Sequence, residues 1–184
     1  MRCVSVCVCD VVPGRRNHVT DIVNSGTRSR MMSRIRSKDT KPELALRHAL
    51  HARGFRYRLH ARPVMGRPDL VLYRHSAVVF VHGCFWHRHE GCRFTTSPST
   101  RREFWQAKFD ANVRRDREVR ELLAKEGWRV ATVWECSLRR PEQVATTVDL
   151  LAAWLPTDTP MIEIGETNTP DVGTDVVGTP FTAS

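Results

Sequence analysis

Three histidines and two cysteines fall within the eleven residues His82-Gly83-Cys84-Phe85-Trp86-His87-Arg88-His89-Glu90-Gly91-Cys92. Thiolate and imidazole suit a borderline-soft ion, and Cys84, His89 and Cys92 are spaced to wrap one. A tetrahedral structural zinc needs a fourth donor. Cys136 follows Val130 to Trp134, a strand-like run that can lie beside the first cluster, and it supplies that donor. Spacing alone leaves open whether His87 or His89 is the imidazole ligand. Single inert buried cysteines are common, but two within nine residues with a histidine between them point to metal.

A second set of residues suits hydrolysis. Gly66-Arg67-Pro68-Asp69 places a carboxylate at the start of a strand, and the next strand, Val78-Val79-Phe80-Val81, ends in His82. If the two pair antiparallel, Asp69 and His82 lie at one end of the sheet. A carboxylate beside histidines in a basic protein fits magnesium-assisted phosphodiester cleavage, with the acid holding the metal and an imidazole moving the proton. Asp116 is placed to fix the tautomer of a histidine. Taken singly, Asp69 is better explained as a turn residue; the company of His82, His87 and Asp116 reverses the choice in favour of chemistry. Phe85, Trp86 and Trp105 are aromatics near basic residues, able to stack on or wedge between bases, or else to cover the zinc loop as a small satellite core. Glu43 is fully explained as the second half of a capping box begun by Thr40.

The elements that must carry these groups follow from periodicity. Thr40-Lys41-Pro42-Glu43 opens a helix ending near residue 53, with Leu46 and Leu50 on its buried side. Phe55 to Leu59 reads as a short strand, Pro63 to Pro68 as a turn, and residues 69–73 and 77–82 as two strands joined tightly enough to pair antiparallel. Ser99 or Thr100 is the expected cap of a long helix from Arg101 to about Glu126, whose stripe of Trp105, Phe109, Asn112, Asp116, Val119 and Leu123 has a polar hole in its middle. Trp128 to Trp134 is a strand, and Pro141 to Leu155 a closing amphipathic helix with Leu150, Leu151 and Trp154 facing in. The fold class is α/β, a mixed central sheet flanked by helices.

The 184 residues suit one domain, expected over 27–155. Residues 1–26 are expected to be a poorly ordered leader, or sequence upstream of the true start, and the Thr-, Pro- and Gly-rich residues 156–184 a disordered tail. Arg28, Arg30, Arg34, Arg36 and Lys38, interleaved with Met31, Met32 and Ile35, form a basic arm suited to nucleic acid or to plain solvation. A net charge of +9, from 29 Lys and Arg against 20 Asp and Glu, favours a polyanionic partner. Without an apolar run long enough to span a membrane or a secretion signal, a cytoplasmic protein is expected, where clustered cysteines serve metal rather than disulfides.

Several strings together resemble one family. Gly66-Arg67-Pro68-Asp69, His82-Gly83-Cys84-Phe85-Trp86-His87, Glu103-Phe104-Trp105, Asn112-Val113-Arg114-Arg115-Asp116, Gly127-Trp128-Arg129-Val130 and Val133-Trp134-Glu135-Cys136 are similar, in order, to the very-short-patch repair DNA mismatch endonucleases, and the likeness runs from about Thr27 to Leu155. The resemblance implies a restriction-endonuclease-like core that nicks one strand of duplex DNA 5′ to the thymine of a T:G mismatch, such as 5-methylcytosine deamination produces. It implies a monomer acting alongside a cytosine-5 DNA methyltransferase. It implies magnesium on Asp69 and the Val81 carbonyl, proton transfer by His82 and His87, Asp116 orienting a histidine, and Glu43 supporting the centre. Zinc would be held by Cys84, His89, Cys92 and Cys136; Phe85, Trp86 and Trp105 would wedge beside the mismatch while Met32 and Ile35 approach from the other groove. Where the family often has one residue between the ligand histidine and the next cysteine, this chain has Glu90-Gly91. Two rivals remain: a zinc-containing DNA-binding protein without catalysis, and an ordinary restriction nuclease.

Overall fold

A computed structural model of the chain describes Gly26, Thr27, Arg30 and residues 38–166. The arm residues Met32 and Ile35, with the leader up to residue 25 and the tail from 167 on, lie outside the described residues. The chain divides into Met1–Arg34 and Ile35–Ser184, and the fold is that of the second unit.

Its inner strands are apolar because both faces of the sheet are covered there. β1 (Arg58–Leu59), β2 (Leu70–Leu72), β3 (Ala77–His82), β4 (Arg129–Trp134) and β5 (Met161–Ile164) form one mixed sheet in that order. β2 is antiparallel to β1 and β3, whereas β3, β4 and β5 run parallel. Alternate residues serve opposite cores. Leu70, Leu72, Ala77, Val79, Ala131 and Val133 pack against Leu46 and Leu50 of α1 (Lys41–Ala52) and Val148, Leu151 and Trp154 of α4 (Pro141–Trp154). Val71, Val78 and Val130 pack against Val119 and Leu123 of α3 (Arg102–Lys125). The same alternation puts Asp69, just before β2, and His82, the last residue of β3, on the α3 face.

α1 begins as its sequence predicts: Thr40 accepts from the Glu43 amide, Glu43 accepts from the Thr40 amide, and Pro42 stands in the first turn. α3 does not. Its N-cap is Arg101, in left-handed backbone with φ 52° and without a side-chain capping bond, so the expected cap at Ser99 or Thr100 is corrected. The loop completes its turn one residue later than hydroxyl capping would require. The strand expected over residues 55–59 narrows to Arg58–Leu59.

The C-terminal boundary also moves. Order expected to end at Leu155 continues to Glu166, because Met161-Ile162-Glu163-Ile164 alternates and pairs parallel with β4, burying Ile164. Arg129 secures the approach: it donates to the carbonyls of Trp154, Leu155 and Thr159 and lies over the Trp154 ring. A cation on the last carbonyls of a helix also complements its dipole. Among the described residues no helix is long and apolar enough to cross a membrane.

Candidate active site and metal centre

The end of β3 is a fork. Gly83 caps a single helical turn, α2 (Cys84–His87), and Arg88 then turns left-handed with φ 57°. Successive histidines consequently leave in different directions. His87 stacks on His82 with ring centroids 3.9 Å apart and 10° between planes, and its Nδ1 lies 2.5 Å from Asp116 Oδ2. His89 instead stacks on Trp134 and turns Nδ1 toward Cys136 Sγ at 3.4 Å and Cys84 Sγ at 3.8 Å.

On the first branch an open cleft is lined by Asp69, Val81, His82, His87 and Asp116, with Arg67, Arg115 and Arg120 around them. Asp69 Oδ2 accepts from the Val81 amide at 2.7 Å. Burial pushes its carboxyl up to about 6, the nearby Glu43 charge adds to the rise, and the Val81 hydrogen bond opposes it. Burial, helped by the charges of His87, Arg120 and Arg115, takes His82 down to about 3, so its ring stays neutral. Burial alone would raise Asp116, but the His87 hydrogen bond holds it below the ordinary carboxylate value. An ionised Asp116 only accepts, so His87 carries a proton on Nδ1, and any lone pair the ring offers is at Nε2. The set offers a cation ligand, an oriented base and a ring of positive charge.

On the second branch Cys84, His89, Cys92 and Cys136 bring one donor atom each to within 4.8 Å of one another, with Cys84, His89 and Cys136 buried. Three thiols and an imidazole gathered this closely could hold a metal ion, and the donor set suits zinc. Cys84 and Cys136 share a hydrogen bond, which pushes the Cys84 thiol up and draws Cys136 down to about 5. The Glu166 amide donates to Cys136 Sγ at 3.3 Å. Gly165 is required beside them, since a Cβ there would stand 2.6 Å from His89 Cε1. Of the two histidines that spacing left open, His89 joins the cysteines and His87 does not.

The remaining predicted residues are placed differently. Glu43 is buried, completes the α1 capping box and binds the Arg47 guanidinium, so it stands behind Asp69 without lining the cleft. Phe85, Trp86 and Trp105 are half-buried and pack edge-on or tilted against one another, with Phe85 also on Phe109; Lys108 lies over Trp86. Asn112 donates to the Trp86 carbonyl at 3.0 Å, tying the aromatic turn to α3. Three neighbours were not singled out from sequence: Asp39, Arg47 and His60. Only the four-residue spacing of Glu43 and Arg47 could have hinted at a pair.

Comparison with known proteins identifies the family. The family model described as DNA mismatch endonuclease Vsr matches residues 20–93. The chain is 47% identical over 120 residues to Type II nicking enzyme V.XorIIP of Xanthomonas oryzae pv. oryzae, covering 65% of this chain and 88% of that protein. It is 39% identical over 139 residues to DNA mismatch endonuclease Vsr of Escherichia coli, covering 74% and 88%. Type II nicking enzyme V.NmeAIP of Neisseria meningitidis is 42% identical over 121 residues, covering 66% and 86%. Identity this high across most of each relative's length makes the chain a member of the Vsr family of DNA mismatch endonucleases.

Proposed function

We propose that the chain nicks one strand of duplex DNA on the 5′ side of the thymine in a T:G mismatch, by magnesium-assisted hydrolysis. The observation that carries this reading is the meeting of Asp69, His82, His87 and Asp116 at one arginine-bordered cleft. Magnesium, held by Asp69 and the Val81 carbonyl, would supply Lewis acidity toward the scissile phosphate. His87 Nε2 takes the proton of the attacking water as its oxygen bonds phosphorus and the phosphorus–oxygen bond to the leaving sugar breaks. Asp116 holds the tautomer and stabilises the imidazolium that results, while neutral His82 packs against the His87 ring and fixes its plane. Arg67, Arg115 and Arg120 face the phosphates.

Specificity follows from stacking. A wobble T:G pair is cheaper to unstack than a Watson–Crick pair, so Phe85, Trp86 and Trp105 would enter there in preference, with Met32 and Ile35 approaching from the opposite groove. Zinc in the Cys84, His89, Cys92 and Cys136 set would hold the turn carrying those rings. The chain would act as a monomer in cells where a cytosine-5 methyltransferase creates the deamination-prone base.

End-labelled T:G and matched duplexes, incubated with magnesium or with chelator, test this directly. One nick in the T strand of the mismatched duplex, only with magnesium, is expected. Binding of both duplexes without cleavage would make the protein a non-catalytic DNA binder, and cleavage of both strands of a matched site would make it a restriction nuclease.

A further inference from the structure

A second cation pocket lies behind the cleft, and it is already filled. Asp39, Glu43 and His60 place ligand-type atoms within 4.8 Å of one another, and His60 connects them to Asp69: its Nδ1 is 3.9 Å from Asp69 Oδ1 and its Nε2 is 3.5 Å from Glu43 Oε1. Three carboxylates and an imidazole thus converge at the sheet end, the kind of arrangement in which hydrolases of phosphodiesters place two ions about 4 Å apart. The Arg47 side chain, only 5% exposed, enters from α1. Its Nη1 is 2.5 Å from Asp39 Oδ1, and its Nη2 binds Glu43 Oε1 and stands 3.1 Å from His60 Nε2. Its Nε is buried without a hydrogen-bond partner, so the head group is committed through its two terminal nitrogens.

The chemistry of the guanidinium settles two things. It cannot lose its charge in a protein, and it only donates. His60 Nε2 must therefore accept, which puts the imidazole proton on Nδ1, the nitrogen that faces Asp69. The fixed positive charge also answers the buried Glu43 carboxylate, which would otherwise stand uncompensated behind Asp69.

We propose that Arg47 is the resident cation of this pocket, standing where a second divalent ion would bind, so that this chain works with a single divalent ion at Asp69 and uses Glu43 and His60 as positioning residues. The inference rests on the assignment of Asp69 as the metal carboxylate.

Counting Mn2+ ions bound by the zinc-loaded full chain, by calorimetry and electron paramagnetic resonance, tests it. One Mn2+ is expected in the unaltered chain and in Glu43→Gln. Arg47→Met should gain a second, lost again when Glu43→Gln is added, and Arg47→Lys should stay at one. Two ions in the unaltered chain, one of them lost in Glu43→Gln, would overturn the proposal, as would a folded Arg47→Met variant that holds at one. Should Arg47→Met not fold, Glu43→Gln alone decides: loss of the ion would make Glu43 a ligand. Retention of the Mn2+ in Asp69→Asn is a separate failure, of the cleft assignment itself.

Discussion

Two centres grow from the end of one strand, and they are built on opposite terms. The cysteine–histidine cluster is closed: Cys84, His89 and Cys136 are buried, an aromatic ring lies flat on the histidine, and a backbone amide serves one sulfur. The cleft holding Asp69 is open to one side and leaves groups in forms that favour reaction over rest, with a carboxyl raised to about 6 and a histidine kept neutral. The first should stabilise the fold and the second should detract from it. Removing a residue from each should therefore move stability in opposite directions.

The largest effect is expected at the cleft. Asp69→Ala should slow nicking of a T:G duplex on the order of 10³-fold, the loss of a metal's Lewis acidity, while duplex affinity, carried by phosphate contacts, stays within about threefold. A parallel fall in affinity, measured by gel shift, would refute the separation. Cys136→Ala strikes the other centre: metal content should fall and the melting temperature drop by roughly 10 °C, as expected for several kcal/mol in a domain of this size. An unchanged melting curve would show that the cluster is not structural.

Sharper still is Asp69→Asn in metal-free protein. Because the folded chain holds the Asp69 proton up to about 6 against an ordinary carboxyl value of 3.8, it binds that proton more tightly than the unfolded chain does. The stability involved is whole below the lower value and declines as pH rises through that window, by at most about 3 kcal/mol. The asparagine variant should accordingly match the parent near pH 4 and out-melt it at about pH 7. A variant less stable at both would mean that Asp69 is structural. Gly165→Ala should be smallest, about 1–2 kcal/mol of destabilisation with faster zinc release to a chromophoric chelator, because the new Cβ meets the His89 ring.

Much of this was legible in the residues themselves. β3 ends at His82 and α1 starts behind Thr40 because a β-branched apolar run and a capping box are local signals that tertiary contacts reinforced. Antiparallel pairing of β2 with β3 then brought Asp69 to the sheet end that carries His82. β5 was hidden because Met161–Ile164 is a short strand in turn-rich surroundings, stabilised by β4 rather than by its own sequence. Arg47 and His60 were hidden for a related reason. A helix face and a loop meet only after folding, and neither residue type is unusual where it stands. The choice between His87 and His89 needed the left-handed Arg88, which no spacing rule supplies.

That left-handed residue has a consequence for change over time. Between His82 and His89 the positions alternate in allegiance, and the reversal at Arg88 depends on how many residues precede it. Substituting an exposed side chain here disturbs one neighbourhood at most. Adding or deleting a single residue would rotate every later one to the wrong side and disable both centres together, so this span should accept drift in identity and resist drift in length.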